Sequence, residues 1–348
     1  MSVSVKNAGG GENVKAEADA QTALIEEIRT ALVGKATIAN ATADKILEGY
    51  SAYVGQQLVT GSLKLPTIDG TPVSGLNLVS IIAQMFATKL PYAFFCGSAV
   101  VLNGEIHILG SNASGNYTNH YKWNGTTWTK VSTLPYGFYS GSTVVLNNEI
   151  HILGGGGSYQ TNHYKWNGTS WTSVSTLPYG FYSGSAVVLN GEIHILGCTG
   201  YQTNHYKWNG TTWTKVSTLP YDFSYGSAVL LNGEIHILGG DGTANYRNHY
   251  KWNGTAWESV STLPYAFFYG SAVVLNGEIH ILGSNESTNR NKHYKWNGTT
   301  WTEAGTLMYS FGIGSAVVLG MAIHLFGSDD GTYRTMHSRL EKAYTEVA

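Results

Sequence analysis

Twelve histidines, five regularly placed glutamates and two cysteines are the residues of this chain able to carry metal, acid–base or redox chemistry. Their spacing decides between these. The histidines form two series, His107, His151, His194, His236, His280 and His324, and His120, His163, His205, His249, His293 and His337. A metal ion needs ligands converging on one small cluster, whereas a series spread evenly along a chain distributes them. The pattern favours structural hydrogen bonding by the imidazoles. Glu105, Glu149, Glu192, Glu234 and Glu278 likewise recur singly, and general acid–base work on a glycosidic bond takes two carboxylates facing one substrate. Cys96 and Cys198 fall at unlike points of their repeats, which gives a disulfide no support. With no Ser/His/Asp set and no phosphate loop, the expectation is a protein that is not an enzyme and uses no metal or cofactor.

The even spacing points to the elements that hold these residues. LPY starts at Leu90, Leu134, Leu177, Leu219 and Leu263, with LMY at Leu307, so a unit of 42 to 44 residues is written six times. Fixed-period self-similarity decides a fold before any local pattern does. Within a unit, a run such as GSAVVL meets Asn103-Gly104, the preferred pair for a two-residue type I′ turn, and returns as EIHILG. After a variable loop, HYKW meets a second Asn-Gly, Asn124-Gly125, and returns as TWTKV. Each unit thus reads as four antiparallel strands. Six such units predict an all-β, six-bladed β-propeller, because one small sheet cannot bury both faces without neighbours.

These residues also carry a resemblance. IHILGG at Ile150–Gly155 and Ile235–Gly240, with the Tyr/Trp pairs Tyr121/Trp128, Tyr164/Trp171, Tyr206/Trp213, Tyr250/Trp257 and Tyr294/Trp301, is similar to the kelch repeat family over the last three quarters of the chain. The resemblance implies the propeller fold. The chain departs from that pattern in placing His where an aromatic is usual in the second strand and Tyr after LP where Arg is common.

The last unit has no Trp. HSRLEKAYTEV from His337 aligns with HYKWNGTTWTKV after one deletion, with Leu340 and Tyr344 at the Trp positions, so the expectation is that it supplies its own third and fourth strands. The alternative is that residues 76–86, LNLVSIIAQMF, supply an outer strand that closes the ring. All ten Trp and all twelve His follow residue 88. The reading is therefore three segments: 1–35, 36–88, and a propeller over 89–348.

From Glu12 to Leu32 the spacing of Ile25, Ile28 and Leu32, ended by Gly34, predicts a helix. Too short to be stable alone, it is expected to pack on copies of itself as an oligomerising or attachment element, the alternative being docking on its own chain. ATADKILEGYSAYVGQQLVTGSL, from Ala41, reads as a short helix ending at Gly49 and a β-hairpin turning near Gly55-Gln56. This stretch resembles a segment of structural proteins of phages and prophages of Gram-positive bacteria, near tail or fibre components. The resemblance implies a virion protein, with residues 1–88 meeting other virion proteins and the propeller displayed.

A net charge of -2 with only 12% charged residues excludes the electrostatic footprint of a nucleic-acid or anionic-membrane binder. The N-terminal residues lack the apolar core of a signal peptide, and no apolar run approaches the roughly 20 residues that span a bilayer. A chain made in the host cytoplasm and assembled into a particle fits both.

The six copies disagree in two places only: the loop between second and third strands, and the four residues after LPY. In an up-and-down blade both emerge on one face, which suits recognition loops on a rigid scaffold. Phe95, Tyr139, Tyr182 and Phe268, with Tyr117, Tyr159, Tyr201, Tyr246 and Tyr333, supply flat amphipathic surfaces there, and Asn, Gln and Ser supply hydrogen bonds. Arg247, Arg290 and Arg334 lie in the last three of these loops and suit an anionic group on a glycan. These twelve residues are the candidate ligand-binding set for a host cell-surface saccharide or protein. The alternatives are a structural or capsid decoration protein, or a glycan-degrading enzyme.

Overall fold

The computed structural model describes residues 36–37, 51–54, 57–60, 77–157, 160–200, 203–240, 246–328 and 334–347, with side chains between 88 and 340. Among them every regular element is a strand. The expected helices over 12–32 and 41–49 lie outside the described residues. The chain divides into two compact units, residues 87–339, and 1–86 together with 340–348.

Residues 87–339 form a six-bladed β-propeller. Blade 1 runs Ser98–Leu102, Glu105–Leu109, Asn119–Trp123 and Trp128–Thr133, and the next four blades repeat this order in four-stranded sheets. First strands of successive blades are neighbours around the ring, so they line the axis. The Asn-Gly turns take the conformation that pair permits: Asn103 and Gly104 both have positive φ, 52° and 77°. In the other hairpin Asn124 Oδ1 accepts hydrogen bonds from the backbone N–H of Thr126 and Thr127, at 3.0 and 2.9 Å, and the motif recurs at Asn167, Asn209, Asn253 and Asn297. The repeated Asn-Gly-Thr/Ser triplets are therefore turns held by their own asparagine.

Burial between blades holds the ring. Val100, Leu102 and Leu109 of blade 1 pack on Leu134, Phe138, Ile150, Ile152 and Trp166 of blade 2, and equivalent clusters sit at four other interfaces. The phenylalanine two residues after each LPY or LMY, Phe94 through Phe311, is fully buried in all six blades. The glycine that ends the second strand follows from this. A Cβ on Gly110 would stand 1.9 Å from the carbonyl oxygen of Phe138, and Gly154, Gly239, Gly283 and Gly327 meet the next blade in the same way.

The ring closes by the alternative route. The last unit does not fold back on itself: Met336–Val347 is one uninterrupted strand, and the sheet order of blade six is Ser315–Leu319, Ala322–Phe326, Met336–Val347, then Asn77–Lys89. HSRLEKAYTEV lacks the Asn-Gly that turns the other five copies, so nothing reverses the chain and the N-terminal strand becomes the fourth. Leu340 occupies the buried third-strand position of Trp, as expected, whereas Tyr344 stays on the same strand.

The end of that N-terminal strand reproduces the contacts of the other outer strands. In blades 1 to 4 the outer-strand serine, Ser132, Ser175, Ser217 or Ser261, meets the third-strand histidine and accepts from a Trp Nε1 of the next blade. In blade six Thr88 takes this place, 3.1 Å from His337 Nδ1 and 2.9 Å from Trp128 Nε1. Blade five has Gly305 there, and blade six has no outer Trp to be tied, so this bond is missing at the 5–6 seam.

In the other unit, Ala36–Thr37 pairs antiparallel with Gln84 and Met85 and parallel with Tyr53, and Ser51–Val54 pairs antiparallel with Gln57–Thr60.

Candidate functional site

Backbone hydrogen bonds join the variable loop of one unit to the segment after LPY of the next at five of the six seams. The N–H of Phe138 donates to Tyr117 O, Phe181 to Gln160 O, Phe267 to Tyr246 O, Phe311 to Arg290 O and Phe94 to Arg334 O. A second set ties the loop to its own blade: Asn112 N–H to Phe95 O, Gly156 to Tyr139 O, Thr199 to Tyr182 O and Asn285 to Phe268 O. Loop residues that differ in chemistry thus share one backbone frame. The geometry agrees with the expectation that both segments lie together.

At the axis the frame closes on itself. Cys96 N–H donates to Ile313 O, Ile313 to Tyr269 O, Tyr269 to Tyr225 O, Tyr225 to Ser183 O, Ser183 to Ser140 O and Ser140 to Cys96 O, all at 2.7–2.8 Å. All six residues have left-handed backbones, with φ between 52° and 59°. None is glycine, and for a β-branched residue such as Ile313 that conformation is strained. The collar pairs its own main-chain groups, and its side chains are small in blades 1 to 3, a Tyr pair in blades 4 and 5, and Ile313 in blade 6. Tyr225 and Tyr269 pack with ring centroids 4.3 Å apart, and Thr199 Oγ1 donates to Tyr225 OH. Burial first, then the hydrogen bond to Tyr225, raises the Tyr269 phenol far above its ordinary range. Sequence reasoning placed these residues in a variable segment but could not find the collar, because nothing in Cys, Ser, Tyr or Ile announces a positive φ.

The expected ligand set divides. Tyr117, Tyr139 and Tyr182 form a chain of contacts across blades 1 to 3, with centroids 5.7 and 6.3 Å apart. Desolvation first, then Tyr182, Tyr117 and Cys96 nearby, raises the Tyr139 phenol. Tyr246 stacks on Phe268 at 4.7 Å and 17°. Phe95 is covered by Arg334, whose guanidinium lies 4.3 Å from the ring centroid. Arg247 Nε donates to Leu263 O, and Arg290 Nη2 to Asn285 Oδ1, so these arginines are already engaged within the face. Tyr159, Tyr201 and Tyr333 lie outside the described residues.

A cleft opens on this face. Tyr117 from blade 1 and Tyr136, Gly137, Tyr139, Gly156, Gly157 and Gln160 from blade 2 line it, around a volume of about 390 Å³. Tyr117 is a large exposed hydrophobic side chain, and Gln160 Oε1 accepts from Asn162 Nδ2. Gln160 and the three glycines were not singled out from the sequence. The signal at Gly156 is that the other blades carry Asn, Thr or Asp at the same offset from the second strand.

The histidines are elsewhere and serve another purpose. Each second-strand His Nδ1 lies 2.8–2.9 Å from the Nε2 of its third-strand partner, in all six blades. Beyond it, in every blade but the fifth, come the serine or Thr88 and the next blade's Trp. A Trp N–H only donates, so the hydroxyl accepts it and still has a hydrogen for the imidazole. Burial lowers the second-strand histidines to about 4 and the third-strand ones to about 3, His337 to about 2. Among the described residues no group of three or more His, Cys, Asp or Glu is placed to hold a metal ion. The repeated glutamates are ion-paired one to one with the lysine of KWNGTTW and its variants, Glu105 with Lys122 at 2.8 Å and likewise in the next four blades. Cys96 and Cys198 are not joined in a disulfide, and Cys198 Sγ donates to Gly180 O.

Comparison with known proteins finds no family whose pattern matches the chain and no curated protein that matches it in sequence. Solved structures do match. The structure of YjhT superposes with a TM-score of 0.65 at 14% identity, covering 74% of this chain and 99% of that one. YjhT shares the fold. As 525 solved chains match, the propeller is a scaffold on which function must be argued from the site.

Proposed function

We propose that this chain is a kelch-type propeller displayed on a phage or phage-like particle, and that it binds a host cell-surface saccharide through its variable loop face. The observation that carries the reading is the set Tyr117, Gln160, Tyr246, Arg290 and Arg334. Each gives its carbonyl to the N–H of the equivalent buried phenylalanine in the next blade, yet their side chains are aromatic, amide or cationic. A backbone held constant under changing side chains is what recognition on a rigid scaffold requires. Exposed Tyr117 and half-buried Tyr139, Tyr182 and Tyr246, with Asn and Gln between them, are the mixture that meets sugars, an apolar ring face and a hydrogen-bonding edge. The particle rests on the resemblance of the stretch from Ala41 to phage structural proteins, with residues 1–88 as the attachment segment.

The test is binding of the full-length chain to a glycan array and to cell walls of Gram-positive bacteria. Alanine at Tyr139, Tyr182, Tyr246 and Arg290, one at a time, is expected to weaken binding with melting nearly unchanged. Binding unaltered by all four would refute a role for this face. A chain that binds no saccharide and no cell favours a structural role, and turnover of host polysaccharide would reveal an enzyme.

A further inference from the structure

Resting on that saccharide reading, the geometry points to the cleft between blades 1 and 2 as the primary subsite and to an uncharged sugar ring as its occupant. Three observations converge. Among the described residues the cleft's lining contains no charged side chain. An anionic sugar would lose water there without gaining a partner, which is costly, whereas hydroxyls find the Gln160 amide and the exposed Gly157 backbone. The arginines suited to an anion belong to blades 4 to 6, where Arg334 covers Phe95 and Arg290 holds Asn285.

Second, the cleft coincides with three glycines of blade 2; blade 3 shares two of them, as Gly180 and Gly200, and Gly156 is the one particular to blade 2. The position of Gly156, defined by its N–H bond to Tyr139 O, is Asn112, Thr199 or Asn285 in three other blades. Gly156 has φ +75°, and a Cβ there would stand 2.9 Å from Gly137 O; one on Gly157 would stand 2.8 Å from the Tyr139 hydroxyl. The position of Gly137 is Ala93, Asp222, Ala266 or Ser310 in four other blades. Larger residues at these points would close the space.

Third, the aromatic walls suit a sugar. Tyr117 and Tyr139 meet at 48°, so they present two faces to one concavity, and Tyr139 is braced edge-on by Tyr182 at 88°. With Oε1 held by Asn162, Gln160 offers its amide hydrogens. About 390 Å³ falls at the small end of ligand sites, which run roughly 300–1,000 Å³, and suits one ring better than a branched oligosaccharide.

The experiment titrates the full-length protein by saturation-transfer NMR and calorimetry with glucose, galactose and N-acetylglucosamine as uncharged probes, and N-acetylneuraminic acid and glycerol phosphate as anionic ones. At least one uncharged probe is expected to bind. Its affinity should fall tenfold or more in Tyr117→Ala and in Gly137→Leu, whose Cβ meets Tyr117 at an ordinary 3.4 Å and so fills the cleft without strain. Raising ionic strength should leave it unchanged, since no charge is screened. Preferential binding of an anionic probe, or uncharged-sugar binding indifferent to both variants, overturns the subsite while leaving the saccharide reading intact. Absence of binding to these probes and to every saccharide of an array overturns both.

Discussion

Acidification should dismantle the propeller abruptly, and the twelve buried histidines set the scale. Each has its folded pKa pushed by burial from 6.5 down to about 4 or lower. An unfolded chain protonates them near 6.5, so below that pH the unfolded state binds more protons and stability falls. The stabilisation is fully present above about pH 7 and is lost as pH drops toward the folded values. From pH 7 to 5.5 the linkage costs about 1 kcal/mol per histidine, on the order of 10 kcal/mol for twelve. Domains of this kind have a total stability of roughly 5–15 kcal/mol. Cooperative unfolding is therefore expected between about pH 6 and 5, followed by near-ultraviolet circular dichroism, with proton uptake approaching one per histidine in a pH-stat. The Nδ1–Nε2 contacts sharpen it, because protonating either ring places a charge beside a partner buried with it. A native spectrum retained to pH 4, or imidazoles titrating near 6.5 in the folded state by NMR, would refute the reasoning.

Three substitutions test the frame. Thr88→Val keeps the shape of the closing residue but strips the partner from Trp128 Nε1 and His337 Nδ1, for an expected loss of about 1–3 kcal/mol in denaturant unfolding, while Thr88→Ser stays near the parent. Trp171, which donates to Ser132 across the blade 1–2 interface and packs edge-on against His120, is expected to cost about 3 kcal/mol or more as Ala; little effect on melting would show the Trp ring to be dispensable. Ile313→Gly relieves a left-handed β-branched residue worth about 1–2 kcal/mol at about 0.5–1 kcal/mol of added chain entropy, so melting should rise slightly; a marked fall would show that the side chain is needed at the collar.

The propeller was legible because its signals are local and repeated. Asn-Gly names a turn wherever it stands, and an LPY every 42–44 residues counts the blades. Closure was only half legible. The alignment of HSRLEKAYTEV with HYKWNGTTWTKV pointed to a hairpin that does not form; the partner strand lies some 250 residues away, and no pattern in LNLVSIIAQMF says which edge it joins. At the loop face the aromatic positions could be read as candidates, whereas their fate could not. Phe95 lies under Arg334 and Arg290 is spent on Asn285 through contacts between segments distant in sequence or set by loop conformation. The cleft depends on residues defined by what they lack, Gly137, Gly156 and Gly157, and the collar on a φ sign that side-chain identity hides.

The most direct test of the central claim is a two-face comparison of the full-length protein bound to Gram-positive cell-wall polysaccharide. One variant carries Tyr117→Ala, Tyr139→Ala and Tyr246→Ala on the loop face; the other carries Thr126→Ala and Thr211→Ala in the constant hairpins of the opposite face. Binding lost in the first and retained in the second, with both melting like the parent, is the predicted result. Equal binding by the two variants would contradict it.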